Sequence, residues 1–259
     1  MLLSRQRRLV TAMSGSKAIR SGAAEKPRFI SKPRITLALL ALVFATLVCV
    51  AMLLARTWFA GEVKFSFLPG NLLLAWIPAI FAIAVYSLHV RRSRRWPVMI
   101  ACAAVWFFFY PNAPYLITDL VHLKTRPPIP RWYDLIVFMS FAWTGLFLGY
   151  LSLYLMQEIV RDWLGRRTAW SFAVLMLGLG SLGVFVGRFW RWNSWEVITR
   201  PLGLASDVLR RIRSMEPGEV AAFSLTFFFF SLFIYCTLYA VTHLHSGEDA
   251  VSGAEDARL

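Results

Sequence analysis

The chain has 259 residues, 28 Lys and Arg against 14 Asp and Glu, and 58% hydrophobic residues, with a mean hydropathy of +0.57. The apolar residues come in charge-free blocks of about 20, long enough to cross a hydrocarbon core about 30 Å thick, which excludes a soluble one- or two-domain protein. The formal charge of +14 does not point to nucleic acid, because the basic residues sit in the N-terminal tail and between the apolar blocks, where they read as topology determinants and lipid-headgroup contacts.

Residues 1–34 carry nine Lys and Arg against one acid, Glu25. The stretch is too polar to bury a core and reads as a disordered tail. An Arg-rich, acid-poor start also resembles an organelle transit peptide. The next stretch, 35–55, has 21 residues without a charge, longer than a signal-peptide core, and reads as an uncleaved first span. A loop at 56–70 leads to a second span at 71–90, with Pro78 as a kink. Arg91, Arg92, Arg94 and Arg95 close it. The third span starts at Trp96, and its apolar run stops at Tyr110 after 15 residues. At about 1.5 Å per residue that is about 22 Å, too short to cross alone. In the string that follows, YPNAPYLITDLVHL, Pro111 and Pro114 lack backbone donors, so carbonyls one turn earlier need other partners. Such backbone belongs in protein-buried or watered places. The expectation is a Pro-broken third helix reaching residue 123, then an extended connector with Pro127, Pro128 and Pro130.

Trp132, Tyr133 and Asp134 open a fourth span at 132–159, the aromatics at an interface and Asp134 at the positive end of the helix dipole. A short mixed loop at 161–167 leads to a fifth span at 168–187, and a sixth lies at 220–243. Before the sixth, residues 206–215 read as an amphipathic helix in the headgroup region. Ser206 is its N-cap, Val208, Ile212 and Met215 share one face, and Arg210, Arg211 and Arg213 turn away. The acidic tail 246–259 reads as disordered. The fold class is therefore all-α: a polytopic membrane protein whose domain covers 35–245, with about six transmembrane helices, a Pro-broken third helix and one interfacial amphipathic helix. With the N-terminus inside, inner segments hold 17 Lys and Arg and outer ones 11, which favours cytoplasmic N- and C-termini. In either orientation, segments 111–131 and 188–219 share one side.

Those two segments carry the candidate chemistry. If 114–123 is α-helical, Tyr115, Asp119 and His122 recur at i, i+4 and i+7 beside Thr118, opposite Leu116, Leu120 and Leu123. A carboxylate and an imidazole one turn apart can act as a general acid–base pair or orient a ligand. Taken alone, the pair fits better an interfacial helix whose Asp119 meets an arginine and whose His122 touches solvent. In GRFWRWNSWEVITRP, the residues Arg188, Arg191, Asn193 and Glu196 alternate with Trp190, Trp192 and Trp195. Arginines there can grip phosphate or carboxylate, while an aromatic belt with snorkelling arginines explains the string equally well. Gly145 with Gly149, and Gly183 with Gly187, form two GxxxG pairs. If those faces pack together, Asp134 comes near Arg188 and Arg191.

Absences narrow the choice. No Asp, Glu, Lys or Arg falls in the middle of a span, which disfavours a proton-coupled carrier. His89, His243 and His245 fall on the side away from His122, which disfavours a multi-histidine metal site. Cys49, Cys102 and Cys236 lie in apolar runs and read as packing residues. No CxxC, GxSxG, HExxH or P-loop string occurs, so neither metal nor cofactor is expected.

The strings FFFYPNAPYLITDLVHL, WYDLIVFMSFAWTGLFLGY and GRFWRWNSWEV resemble the bacterial membrane family of unknown function DUF1361, over roughly residues 70–245. The resemblance implies a multi-pass bacterial inner-membrane protein. It implies no activity and carries over no catalytic residue. The residues themselves lead to an outer-face pocket of Asn112, Tyr115, Asp119, His122, Asp134, Arg188, Arg191, Asn193 and Glu196. Its ligand would be anionic or lipid-linked, with Arg188 and Arg191 as anion contacts and Asp119 with His122 as acid–base groups. A membrane scaffold or assembly subunit, with a membrane protein partner and no ligand, is the alternative; a transporter comes third.

Overall fold

A computed structural model describes residues 30, 32–123, 128–190 and 217–256, with side chains at 30, 33–123, 128–189 and 218–242. The chain divides into two units, Met1–Ile35 and Thr36–Leu259. Of the first, only Ile30 and the opening turn of a helix are described; all packing below belongs to the second. The expected tail up to residue 29 and the amphipathic helix at 206–215 lie outside the described residues.

Among the described residues, six helices are long and apolar enough to cross a membrane, one for each span read from the sequence. α1 (Lys32–Ala60) has Pro33 near its start, where a missing N–H costs nothing. It runs past the expected end at 55 and takes Arg56 into its last turns. Gly61 then adopts φ +66 and returns its N–H to the Thr57 carbonyl at 3.0 Å, ending the helix. α2 (Phe67–Val90) buries Leu68, Leu72, Ala75, Ala79 and Ala82, a stripe at helical spacing. In lipid the gain from this stripe is close van der Waals packing, since hydrocarbon on either side is equally apolar.

α3 (Trp96–Phe109) stops at Tyr110. A single α-turn, α4 (Asn112–Tyr115), follows, and then a 3-10 segment, Leu116–His122. This is the break that Pro111 and Pro114 dictate. Without an N–H on Pro114, the Tyr110 carbonyl accepts instead from Ala113 at 3.2 Å, an i→i+3 bond that tightens the turn. α5 (Arg131–Leu164) is 34 residues long, about 51 Å at about 1.5 Å per residue, so it outreaches a bilayer core. Its most apolar window is 61% buried, against 17–44% for the other spans, which makes α5 the central helix. The expected loop at 161–167 shrinks to Gly165, whose φ of +85 is open only to glycine. α6 (Arg166–Trp190) follows at once, and α7 (Pro217–Asp256) continues helically through the stretch 246–256 that read as disordered tail.

α2, the break and α6 pack around α5, and α7 packs on α6. α1 is pinned at the side by hydrogen bonds: Trp76 Nε1 to Thr46 Oγ1 at 3.1 Å, and Tyr133 OH to the Met52 carbonyl at 2.9 Å. Cys49 is buried and meets Thr144 Oγ1 at 3.4 Å, as a packing residue should; Cys236 is exposed on α7.

Candidate functional site

The broken helix is seated in glycine notches. A Cβ on Gly145 would lie 2.8 Å from the Ala113 carbonyl oxygen, and one on Gly149 would lie 3.0 Å from Ala113 Cβ. From the other side, a Cβ on Gly183 would lie 2.5 Å from Pro111 Cγ, and one on Gly180 would lie 2.8 Å from the Tyr110 ring. The glycines of α5 and α6 thus receive the break between them instead of packing on each other. That corrects the expectation which brought Asp134 towards Arg188.

The seated break carries a polar cluster beyond the notches. Asn112 serves the break itself, its Nδ2 donating to the Phe109 carbonyl at 3.0 Å. Thr118 Oγ1 donates to the Tyr115 carbonyl at 2.7 Å. The 3-10 geometry, with three residues per turn, stacks Leu116, Asp119 and His122 on one face. Tyr115, in the α-turn before that segment, still faces Arg188 together with Asp119 and His122. Asp119 is 1% exposed. Its Oδ2 accepts from Asn71 Nδ2 at 2.8 Å and its Oδ1 from Arg188 Nη1 at 3.3 Å. Arg188 Nη1 also reaches Tyr115 OH at 3.4 Å, its Nη2 lies 2.9 Å from His122 Nε2, and its Cζ stands 5.9 Å from the Tyr115 ring centre. Arginine always carries its protons, so His122 Nε2 must be the acceptor, with the ring proton on Nδ1. Phe67 packs edge-on against that ring at 5.4 Å.

Tyr115, Asp119, His122 and Arg188 are therefore brought together, as the sequence suggested, and Asn71 joins them. Asp134 is not among them. It is 1% exposed and pairs with Arg56, 2% exposed, through Nε to Oδ1 at 2.7 Å and Nη2 to Oδ2 at 3.3 Å. The physical reason is helix length: α1 extends far enough to deliver Arg56 beside the first turn of α5. Phe65 lies under the Arg56 guanidinium at 4.5 Å and edge-on to Phe138 at 4.8 Å, holding an unusual φ of +66. Phe67 and Phe138 stand between this pair and His122. Arg191, Asn193 and Glu196 lie outside the described residues. Among the described residues, no group of three or more His, Cys, Asp or Glu stands close enough to hold a metal ion.

Chemically, the cluster is a buried carboxylate that accepts from one nitrogen of a guanidinium. The arginine side chain is 15% exposed and that of Asp119 2%, so the Arg188–His122 edge is the accessible one. Asp119 is too buried to touch a ligand without moving, and its carboxylate contact is with Arg188. Arg56 and Asn71 are the participants that sequence reasoning missed. The signal for Asn71 was a lone amide opening an otherwise apolar span, one residue type that a lipid-facing helix start does not need.

Six apolar crossings with an interrupted third one, and polar groups gathered where that helix breaks, define a multi-pass helical membrane protein. The family model for DUF1361, a protein family of unknown function, matches residues 71–236, more than half of the chain. The chain belongs to that family. No curated protein and no solved structure matches it.

Proposed function

We infer that this is a bacterial inner-membrane protein, with both termini cytoplasmic, whose Arg188–His122 edge receives an anionic or lipid-linked headgroup at the extracytoplasmic face. The orientation rests on the excess of Lys and Arg in the inner segments. The observation that carries the site is one guanidinium reaching from a buried carboxylate to an exposed imidazole. A guanidinium held in place at one edge loses little freedom when its other edge meets a phosphate or carboxylate. An arriving anion takes the Nη2 donor from His122, whose Nε2 is then free to accept a proton beside the ligand. Asn71 and Tyr115 fix the frame, and Arg191, Asn193 and Glu196 follow Arg188 closely in the chain.

The test is native mass spectrometry of the full chain released from nanodiscs made with native lipid extract. A retained anionic species is expected for the wild type and lost in Arg188→Gln, while His122→Gln weakens retention without lowering the amount of folded protein. A second reading, a scaffold without ligand, draws on both arginines already having a carboxylate partner within the bundle, Arg56 with Asp134 and Arg188 with Asp119. A stoichiometric protein partner with no retained small molecule or lipid would establish that reading and sink the first.

A further inference from the structure

We propose that the bundle end opposite the Asp119–Arg188 cluster is a built binding surface for anionic phospholipid headgroups. It is formed by two turns that are far apart in sequence. The turn from α2 to α3 exposes Arg91, Arg92, Arg94 and Arg95, and the start of α6 exposes Arg166 and Arg167. His89 Nε2 meets Asp162 Oδ2 at 2.9 Å, Trp163 stands edge-on to His89 at 5.2 Å, and Trp96 lies against Trp163 at 5.5 Å. These contacts join the two turns, so the six arginines belong to one surface. Its nearby acids are committed: Asp162 to His89, and Glu158 to Arg161 at 2.5 Å. None of the six arginines makes an ion pair with another described residue.

The backbone supplies an independent observation. α2 closes with Ser93 N–H on the Leu88 carbonyl at 3.1 Å and Arg92 N–H on the His89 carbonyl at 2.9 Å. That paired pattern usually has glycine where Arg92 stands. Arg92 holds φ +49 there, a left-handed conformation that a side chain makes unfavourable. The turn would form more easily with glycine, yet it carries a charge.

The occupant follows from what flanks the arginines. Trp96 is 53% exposed, Trp163 47% and Leu164 65%. Indoles sit at headgroup level, and guanidiniums take phosphate bidentately. A partner that offers phosphate and acyl chain at one boundary fits both; a soluble anion leaves the apolar rim exposed.

The experiment uses the full chain in nanodiscs of phosphatidylcholine alone or with phosphatidylglycerol, reading the thermal unfolding midpoint and the lipids retained in native mass spectrometry. Phosphatidylglycerol is expected to raise the midpoint by several degrees and to be retained. Arg92→Gly should keep or raise the midpoint in phosphatidylcholine while losing part of the phosphatidylglycerol shift. Arg166→Gln/Arg167→Gln should lose half of that shift or more. Arg5→Gln/Arg7→Gln, which removes the same charge from the tail, should leave it intact. The proposal is overturned if the tail variant loses as much as the α6 variant, or if inorganic phosphate alone reproduces the shift in phosphatidylcholine. It is overturned equally if phosphatidylglycerol acts only after residues 246–259 are removed, since the acidic tail would then be the occupant.

Discussion

Arg56 and Asp134 are both almost fully buried, so removing one leaves the other as an uncompensated charge. Such losses cost about 3–5 kcal/mol, whereas replacing the whole pair with apolar groups of similar size is often near neutral. Asp134→Asn should therefore lower the unfolding midpoint of the full chain in mild detergent sharply, and Arg56→Met/Asp134→Leu should recover most of the loss. A double variant as unstable as the worse single one would mean the pair also orders something else. For the cluster, the proximity of Tyr115, Asp119, His122 and Arg188 was legible because residue type and side of the membrane sufficed. It misassigned Asp134 and missed Arg56 because pairing depended on where α1 ends, and helix ends are weakly encoded. Asp119 and His122 were legible as residues but not as roles, since burial decides which of the two can meet a ligand.

At the level of elements, the break was readable from two prolines, but its geometry was not. A 3-10 segment and an α-helix place different residues on one face, and the choice was made by the walls around it. Those walls predict strongly graded effects for Gly→Ala. At Gly145 the new methyl meets backbone oxygen, and at Gly183 a proline ring; neither can swing aside. Overpacking of this kind costs about 1–3 kcal/mol. At Gly178, where the nearest atom is Phe228 Cδ2 at 3.9 Å, and at Gly70, with nothing within 4 Å, alanine should be neutral or mildly stabilising. Unfolding midpoints of the four variants would check the ranking, and equal effects would remove the notches from the account. Gly165 is a separate case: space is open there, but its φ of +85 forbids a side chain, so alanine should destabilise through the backbone alone.

The six crossings were legible because a bilayer leaves the backbone few choices, so charge-free blocks become helices almost regardless of detail. The central place of α5 was not, since an apolar helix reads alike whether lipid or protein surrounds it. Alternating crossings put Asp119 and Arg94 at opposite ends of the bundle. Single cysteines at His122 and Arg94, with Cys102 and Cys236 replaced and the buried Cys49 kept, should label from opposite sides of sealed vesicles. Labelling from one side would dismantle the topology. The seat of the break also has a bearing on biosynthesis. Asn71 emerges before the interrupted helix, but every notch glycine emerges after it, on α5 and α6. The growing chain thus reaches the membrane with a kinked, partly polar third segment that has no cradle yet. Its final depth is decided only when later segments arrive, so insertion and packing of this region are separate events, the second governed by the far half of the polypeptide.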